Sequence, residues 1–155
     1  MLDDDWYMKL AIEQAEKAYK DGEVPVGAIL VGSDGKIISA THNSKEESKN
    51  PVGHAEVLAL MESAGKFDSW RCLDTTLYVT LEPCIMCLGA MIQARISRLV
   101  FGAYDKKGSA LSLGYHLNTD NRLNHRFNVM GGVMHYECSK QLSQFFKERR
   151  KQYTP

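Results

Sequence analysis

TTLYVTLEPCIMCLGAMIQARISRLVFGA, residues 75–103, decides the fold. Thr75 to Leu81 is an uncharged run of threonine, leucine, valine and tyrosine, which reads as a buried strand. Pro83 to Ala94 reads as a helix with proline at its first position, where a missing backbone N–H does no harm. Ile96 to Ala103 returns to a strand pattern.

Working outward, Asp3 to Lys20 is predicted to be an amphipathic helix. Trp6, Leu10, Ala11, Ala15, Ala18 and Tyr19 recur at helical spacing, and Gly22 follows as a stop. Residues 24–31 and 36–41 are apolar, β-branched runs joined by a turn at 33–35, and are expected to form a hairpin. The polar stretch 42–53 is a loop, and 54–65 a helix closed by Gly65. Residues 104–126 are rich in Gly, Ser and Asn and form a long loop, 127–133 a weak strand, and 135–152 a final helix. The order predicts a three-layer α/β/α fold with a mixed sheet of about five strands and helices on both faces. A chain of 155 residues fits one domain, 1–155, with a real core.

Composition excludes little. Charged residues make up 25%, hydrophobic ones 44%, and 19 Lys and Arg balance 19 Asp and Glu. The distribution says more: Lys140, Lys147, Arg149, Arg150 and Lys151 face only Glu148 in the last stretch. A basic tail beside aromatics can serve nucleic acid, although a solvated helix face is the plainer reading. No apolar run of 18 residues predicts a membrane span, and the acidic start MLDDDWYMKL is no signal peptide. The expected location is the cytoplasm, where thiols stay reduced. Four cysteines at 72, 84, 87 and 138 then point to metal or catalytic chemistry rather than disulfides.

Cys84 and Cys87 share one face of a helix's first turn, near the positive end of its dipole. The pair alone is open to three readings: a redox couple, half of a metal site, or inert core thiols. His54 opens another helix 30 residues upstream, with Glu56 two positions on. If the two helices meet start to start, His54, Cys84 and Cys87 make an N,S,S set suited to Zn²⁺ with one position left for water. Residues at i and i+2 face different ways, which disfavours Glu56 as a ligand and suits it as a base acting on that water. No other histidine has metal-ligand spacing to this set. Cys72 and Cys138 are expected to be small apolar fillers.

His54-Ala55-Glu56 followed by Pro83-Cys84-Ile85-Met86-Cys87 is the H-x-E…P-C-x-x-C signature already associated with the zinc-dependent nucleobase deaminases, the cytidine/deoxycytidylate deaminase superfamily. EVPVGAILV, GHAEVLAL, VTLEPCIMCLGAMI, LNHR and FFKERR extend the likeness over nearly the whole chain. Within that superfamily it resembles the bacterial tRNA-specific adenosine deaminases. The resemblance implies a cytidine-deaminase-like homodimer with one zinc per subunit, acting on adenosine at wobble position 34 of a tRNA anticodon stem-loop. It implies ligand roles for His54, Cys84 and Cys87 and a proton-shuttle role for Glu56. It further implies substrate contacts for Asn43, Asp105, Lys106, Asn124, Phe145 and Arg149. The chain departs from the family where Tyr104 precedes Asp105 and Leu111 interrupts a small-residue run. Two other functions stay open: a deaminase of a free base or nucleoside, of guanine or cytosine type, and a zinc-stabilised RNA-binding protein without catalysis.

Overall fold

The computed structural model describes residues 2–153. One mixed sheet in the order β2-β1-β3-β4-β5 is built from β1 (Gly27–Gly32), β2 (Ile37–His42), β3 (Thr75–Leu81), β4 (Arg98–Ala103) and β5 (Asn128–Gly131). β1 runs antiparallel to both β2 and β3, while β3, β4 and β5 are parallel. The helices are α1 (Asp4–Lys20), α2 (Ala55–Phe67), α3 (Ile85–Ala94) and α4 (His135–Tyr153). The expected α/β/α architecture with a mixed five-stranded sheet is present.

Alternation along the strands sorts side chains into two cores. Ala28, Leu30, Leu77, Val79, Leu99 and Phe101 pack with Ala55, Ala59, Leu88, Met91 and Ile92 of α2 and α3. Ile29, Val31, Tyr78 and Val100 pack with Met8 and Ala11 of α1 and with Cys138 and Leu142 of α4. α1 lies so close to β1 that a Cβ on Gly27 would fall 2.0 Å from the Ala11 carbonyl oxygen. Cys138 sits against Gly102 in the same way, and Cys72 is buried beside Ser63, so both act as the fillers expected. Asp4, in the first turn of α1, accepts from both Arg98 terminal nitrogens (2.8 and 2.6 Å) and from the Tyr78 hydroxyl (2.7 Å), which ties that helix to β3 and β4.

Several boundaries differ from expectation. β1 begins at Gly27 rather than residue 24, because Pro25 has no N–H to donate and Val26 turns back to bond Val24. α2 passes through Gly65 to Phe67 and ends at Asp68, whose φ is +51°. Pro83 stands outside α3, with Cys84 as N-cap and Ile85 as first helical residue. A short 3₁₀ turn, Leu117–Thr119, lies within the long loop. Among the described residues no helix is long and apolar enough to cross a membrane.

Candidate active site

The topology gathers one end of the sheet into a site. The C-terminal ends of β2, β3 and β4 and the approach to β1 all lie at that end. They deliver Asn43, Glu82, Cys84, Asp105, and Val24 with Val26 to one cavity of about 230 Å³. That is below the ~300–1,000 Å³ common for small-molecule pockets and suits a single ring system.

At its floor the N-termini of α2 and α3 meet. His54 is the N-cap of α2 and Cys84 the N-cap of α3, and neither side chain caps its own helix. They turn toward each other instead. His54 Nδ1 lies 3.6 Å from Cys84 Sγ and 3.4 Å from Cys87 Sγ, and the two sulfurs are 3.7 Å apart. Zinc bonds of ~2.3 Å to sulfur and ~2.0–2.1 Å to nitrogen at tetrahedral angles give edges of ~3.6 Å for S···N and ~3.8 Å for S···S. The triad therefore has the dimensions of one face of a tetrahedral site. Among the described residues it is the one group of three or more His, Cys, Asp or Glu side chains that could hold a metal ion. His42, His125 and His135 instead bond Asn43 O, Ile96 O and Ser139 Oγ.

The protonation pattern suits a cation. Cys84 is held down to about 4, first by the hydrogen bond it shares with Cys87 and then by His54. That bond, with burial, pushes the Cys87 thiol up. The Cys84 sulfur likewise raises His54 above its ordinary value. Metal ligation requires these groups deprotonated, so uptake of a metal here would release protons and strengthen as pH rises.

Glu56 is 4% exposed and lines the cavity, and its carboxyl also reaches the Cys87 thiol. Burial raises its pKa. Its position beside the triad, rather than within it, is the arrangement expected from its spacing to His54.

Asn43 is buried at 8% exposure, and its Oδ1 accepts from the Ala55 backbone N–H at 2.8 Å. That N–H belongs to the first residue of α2, so Asn43 supplies the cap that His54 does not. The bond fixes which way the amide faces, and the NH₂ group, which bonds no described residue, is left to the cavity.

The remaining expected contacts divide. Asp105 lines the cavity and also a neighbouring groove formed with Tyr104, Ser139, Leu142 and Phe146. Lys106 and Asn124 are exposed and line neither. Phe145 is 5% exposed and packs edge-on against Tyr19 of α1, whereas Phe146 is 44% exposed and faces the groove. Arg149 stacks on Phe145 and donates to the Gly22 carbonyl, fastening α4 to the end of α1. Glu82 was not singled out by sequence. It is 2% exposed, lines the cavity, and accepts from the Ser112 hydroxyl and backbone N–H (the latter 2.8 Å) and from Asp105 N (3.3 Å). It ties the loop after β4 to the site, and its adjacency to Pro83-Cys84 was the only signal.

The chain matches the MafB19-like deaminase family over residues 2–150. It is 45% identical to the tRNA-specific adenosine deaminase of Bacillus subtilis, an alignment covering 97% of this chain and 93% of the relative. It is equally 45% identical to that of Haemophilus influenzae, over 96% and 86%. A solved structure from studies of A-to-I editing by tRNA:A34 deaminases at the wobble position of transfer RNA superposes with a TM-score of 0.84, at 36% identity, covering 88% of this chain and 99% of that one. The guanine deaminase of Nitrosomonas europaea shares the fold, with a TM-score of 0.77 at 23% identity, over 94% and 85%.

Proposed function

Since the chain belongs to the MafB19-like deaminase family and, within it, to the tRNA-specific adenosine deaminases, we propose that it hydrolytically deaminates adenosine to inosine at the wobble position of a tRNA anticodon. The observation that carries the chemistry is the His54/Cys84/Cys87 face with buried Glu56 beside it. A zinc ion held by these three ligands would lower the pKa of a water and supply the nucleophile.

The protein's own groups do the rest. Glu56 takes a proton from the attacking water and passes it to N1 of the adenine ring, then takes the remaining proton of the added hydroxyl and gives it to the amine, which leaves as ammonia. Burial raises its proton affinity, which suits a group that must give a proton as well as take one. Asn43 offers its NH₂ to the flipped nucleoside. Unstacking that base costs a few kcal/mol, less in a loop than in a duplex. Asp105 and Phe146 stand where neighbouring nucleotides would lie. Lys106, Asn124 and Arg149 would act further out along the RNA, and Phe145 acts by holding α4 in place.

We place the enzyme in the cytoplasm with its tRNA substrate and propose a homodimer. Val52, Met61 and Ile85 are 44%, 66% and 50% exposed and support an apolar contact around α2 and α3. The free-base reading has weaker support, since the guanine deaminase shares the fold at 23% identity. The non-catalytic reading gives no use to a buried carboxyl beside three metal ligands. The deciding assay incubates the zinc-loaded protein with an anticodon stem-loop bearing A at the wobble position and measures inosine. Free adenine, guanine and cytidine run in parallel. Inosine in the RNA alone is expected, and turnover of a free base alone would overturn the assignment.

A further inference from the structure

Lys45 stands out at the catalytic cavity. Among the described residues it is the one lysine or arginine lining it, where the carboxyl side chains are those of Glu56, Glu82 and Asp105. None of them pairs with it: no described carboxylate lies within salt-bridge distance of its ammonium. The side chain is exposed and shares the cavity lining with His54.

The backbone beneath Lys45 is built, not free. Glu23 is 3% exposed and gives its carboxylate to three consecutive amides, those of Lys45 (3.1 Å), Glu46 (2.7 Å) and Glu47 (2.9 Å). Asn50 N donates to the Lys45 carbonyl at 2.9 Å, and Ser44 N to the Gly53 carbonyl at 2.9 Å. That last approach is so tight that a Cβ on Gly53 would lie 2.4 Å from the Ser44 oxygen. A polar ten-residue segment, 44–53, is thereby fixed. Asn43 and Lys45, two positions apart, both face the cavity.

A neutral heterocycle inside the cavity has no use for an unneutralised ammonium, and the carboxylates around the floor repel an anion there. A cation on the rim instead suits an anionic group attached to the base and lying outside. We propose that Lys45 is a phosphate-positioning residue: its ammonium takes a phosphodiester adjoining the flipped nucleotide, so the cavity distinguishes a base within a polynucleotide from the same base free. This rests on the polynucleotide substrate proposed above. Asn43 then holds the nucleoside while Lys45 fixes its backbone.

The test measures binding and turnover of the A-bearing stem-loop by zinc-loaded wild type, Lys45→Met and Lys45→Arg across a salt series. For one lost contact to a single-stranded phosphate, the log–log salt slope of affinity should flatten by ~0.7 in Lys45→Met. Affinity at low salt should fall ~5- to 30-fold, which is ~1–2 kcal/mol at ~1.4 kcal/mol per tenfold, with kcat at saturation and zinc content unchanged. Lys45→Arg should restore both slope and affinity. A neutral methylphosphonate on the phosphate 5′ or 3′ of the target should weaken wild type, and one of the two should leave Lys45→Met indifferent. An unchanged slope in Lys45→Met, or losses that add for both methylphosphonates, overturns the role of Lys45. If wild type neither binds nor deaminates the stem-loop, the polynucleotide substrate itself fails and this role falls with it.

Discussion

Asn43 has two amide ends with two different jobs, and substitution can separate them. Its oxygen caps α2 through Ala55 N–H, and its nitrogen is assigned to the substrate. Asn43→Ala removes both. The orphaned amide lies in a buried first turn, so ~1–2 kcal/mol of stability should go, about what lost caps cost. At this chain length that lowers Tm by ~2–8 °C. Asn43→Asp keeps an acceptor for Ala55 and adds a negative charge at a helix N-terminus, favourable by ~0.3–1 kcal/mol, against the burial of that charge near Glu56. Its Tm should lie above that of Asn43→Ala. The donor to the nucleoside is lost in both variants at neutral pH. One missing hydrogen bond with a substrate acceptor left unpaired is worth ~1–3 kcal/mol, or ~5- to 150-fold in kcat/KM. Thermal unfolding, zinc analysis and stem-loop kinetics on the same preparations settle it. Wild-type kcat/KM in Asn43→Asp would remove the donor role, and a wild-type Tm in Asn43→Ala would remove the capping role.

Glu56→Gln should keep metal and lose turnover by ~10²–10⁴-fold, whereas Cys87→Ala should lose metal, both read by metal analysis beside inosine formation. Phe145→Ala should lower stability by ~3–5 kcal/mol in denaturant unfolding, because it opens the core between α1 and α4. Phe146→Ala should leave stability within ~1 kcal/mol but weaken stem-loop binding by ~1–3 kcal/mol if a base stacks on it. Asp4→Asn should cost about 1 kcal/mol at neutral pH. The Arg98 guanidinium holds the Asp4 carboxyl below its ordinary value, so its contribution is full above the unfolded value near ~3.9 and lost as pH falls through the lower folded value. The Tm gap between wild type and Asp4→Asn should therefore shrink below about pH 4, and a constant gap would exclude the linkage.

The strands and helices were legible because their apolar periods are strong, and the metal set because few side chains bind zinc. His54 and Cys84 sit near helix starts, which sequence can mark. What stayed hidden depends on contacts between distant segments. Glu23 looked like one more acid at the end of an acidic helix, and nothing local says that its carboxylate is buried under residues 45–47. Glu82 likewise serves amides 23 and 30 residues away. Of the adjacent phenylalanines at 145 and 146, only the packing of α1 on α4 says which is core. The resemblance marked Arg149 as a substrate contact, and only the fold shows that it also bonds the Gly22 carbonyl.

The placement of ligands at helix N-caps carries a structural cost that the fold answers locally. An N-cap side chain normally satisfies an amide of the first turn; His54 and Cys84 both turn away from theirs. What is gained is electrostatic. Two converging N-termini put partial positive charge beside two sulfurs and favour thiolate, which a cation needs as ligand. The same field would oppose a bare dication, and the thiolates of Cys84 and Cys87 would offset its charge. A zinc held in this way would activate water less than one bound by neutral histidines alone. The proton must then be taken by a base within reach, and Glu56 lies there already, its proton affinity raised by the burial that the meeting helices impose. The cap borrowed from Asn43 holds the α2 end that carries both His54 and Glu56, so the residues proposed as metal ligand, base and nucleoside contact share one hydrogen bond across the cavity wall.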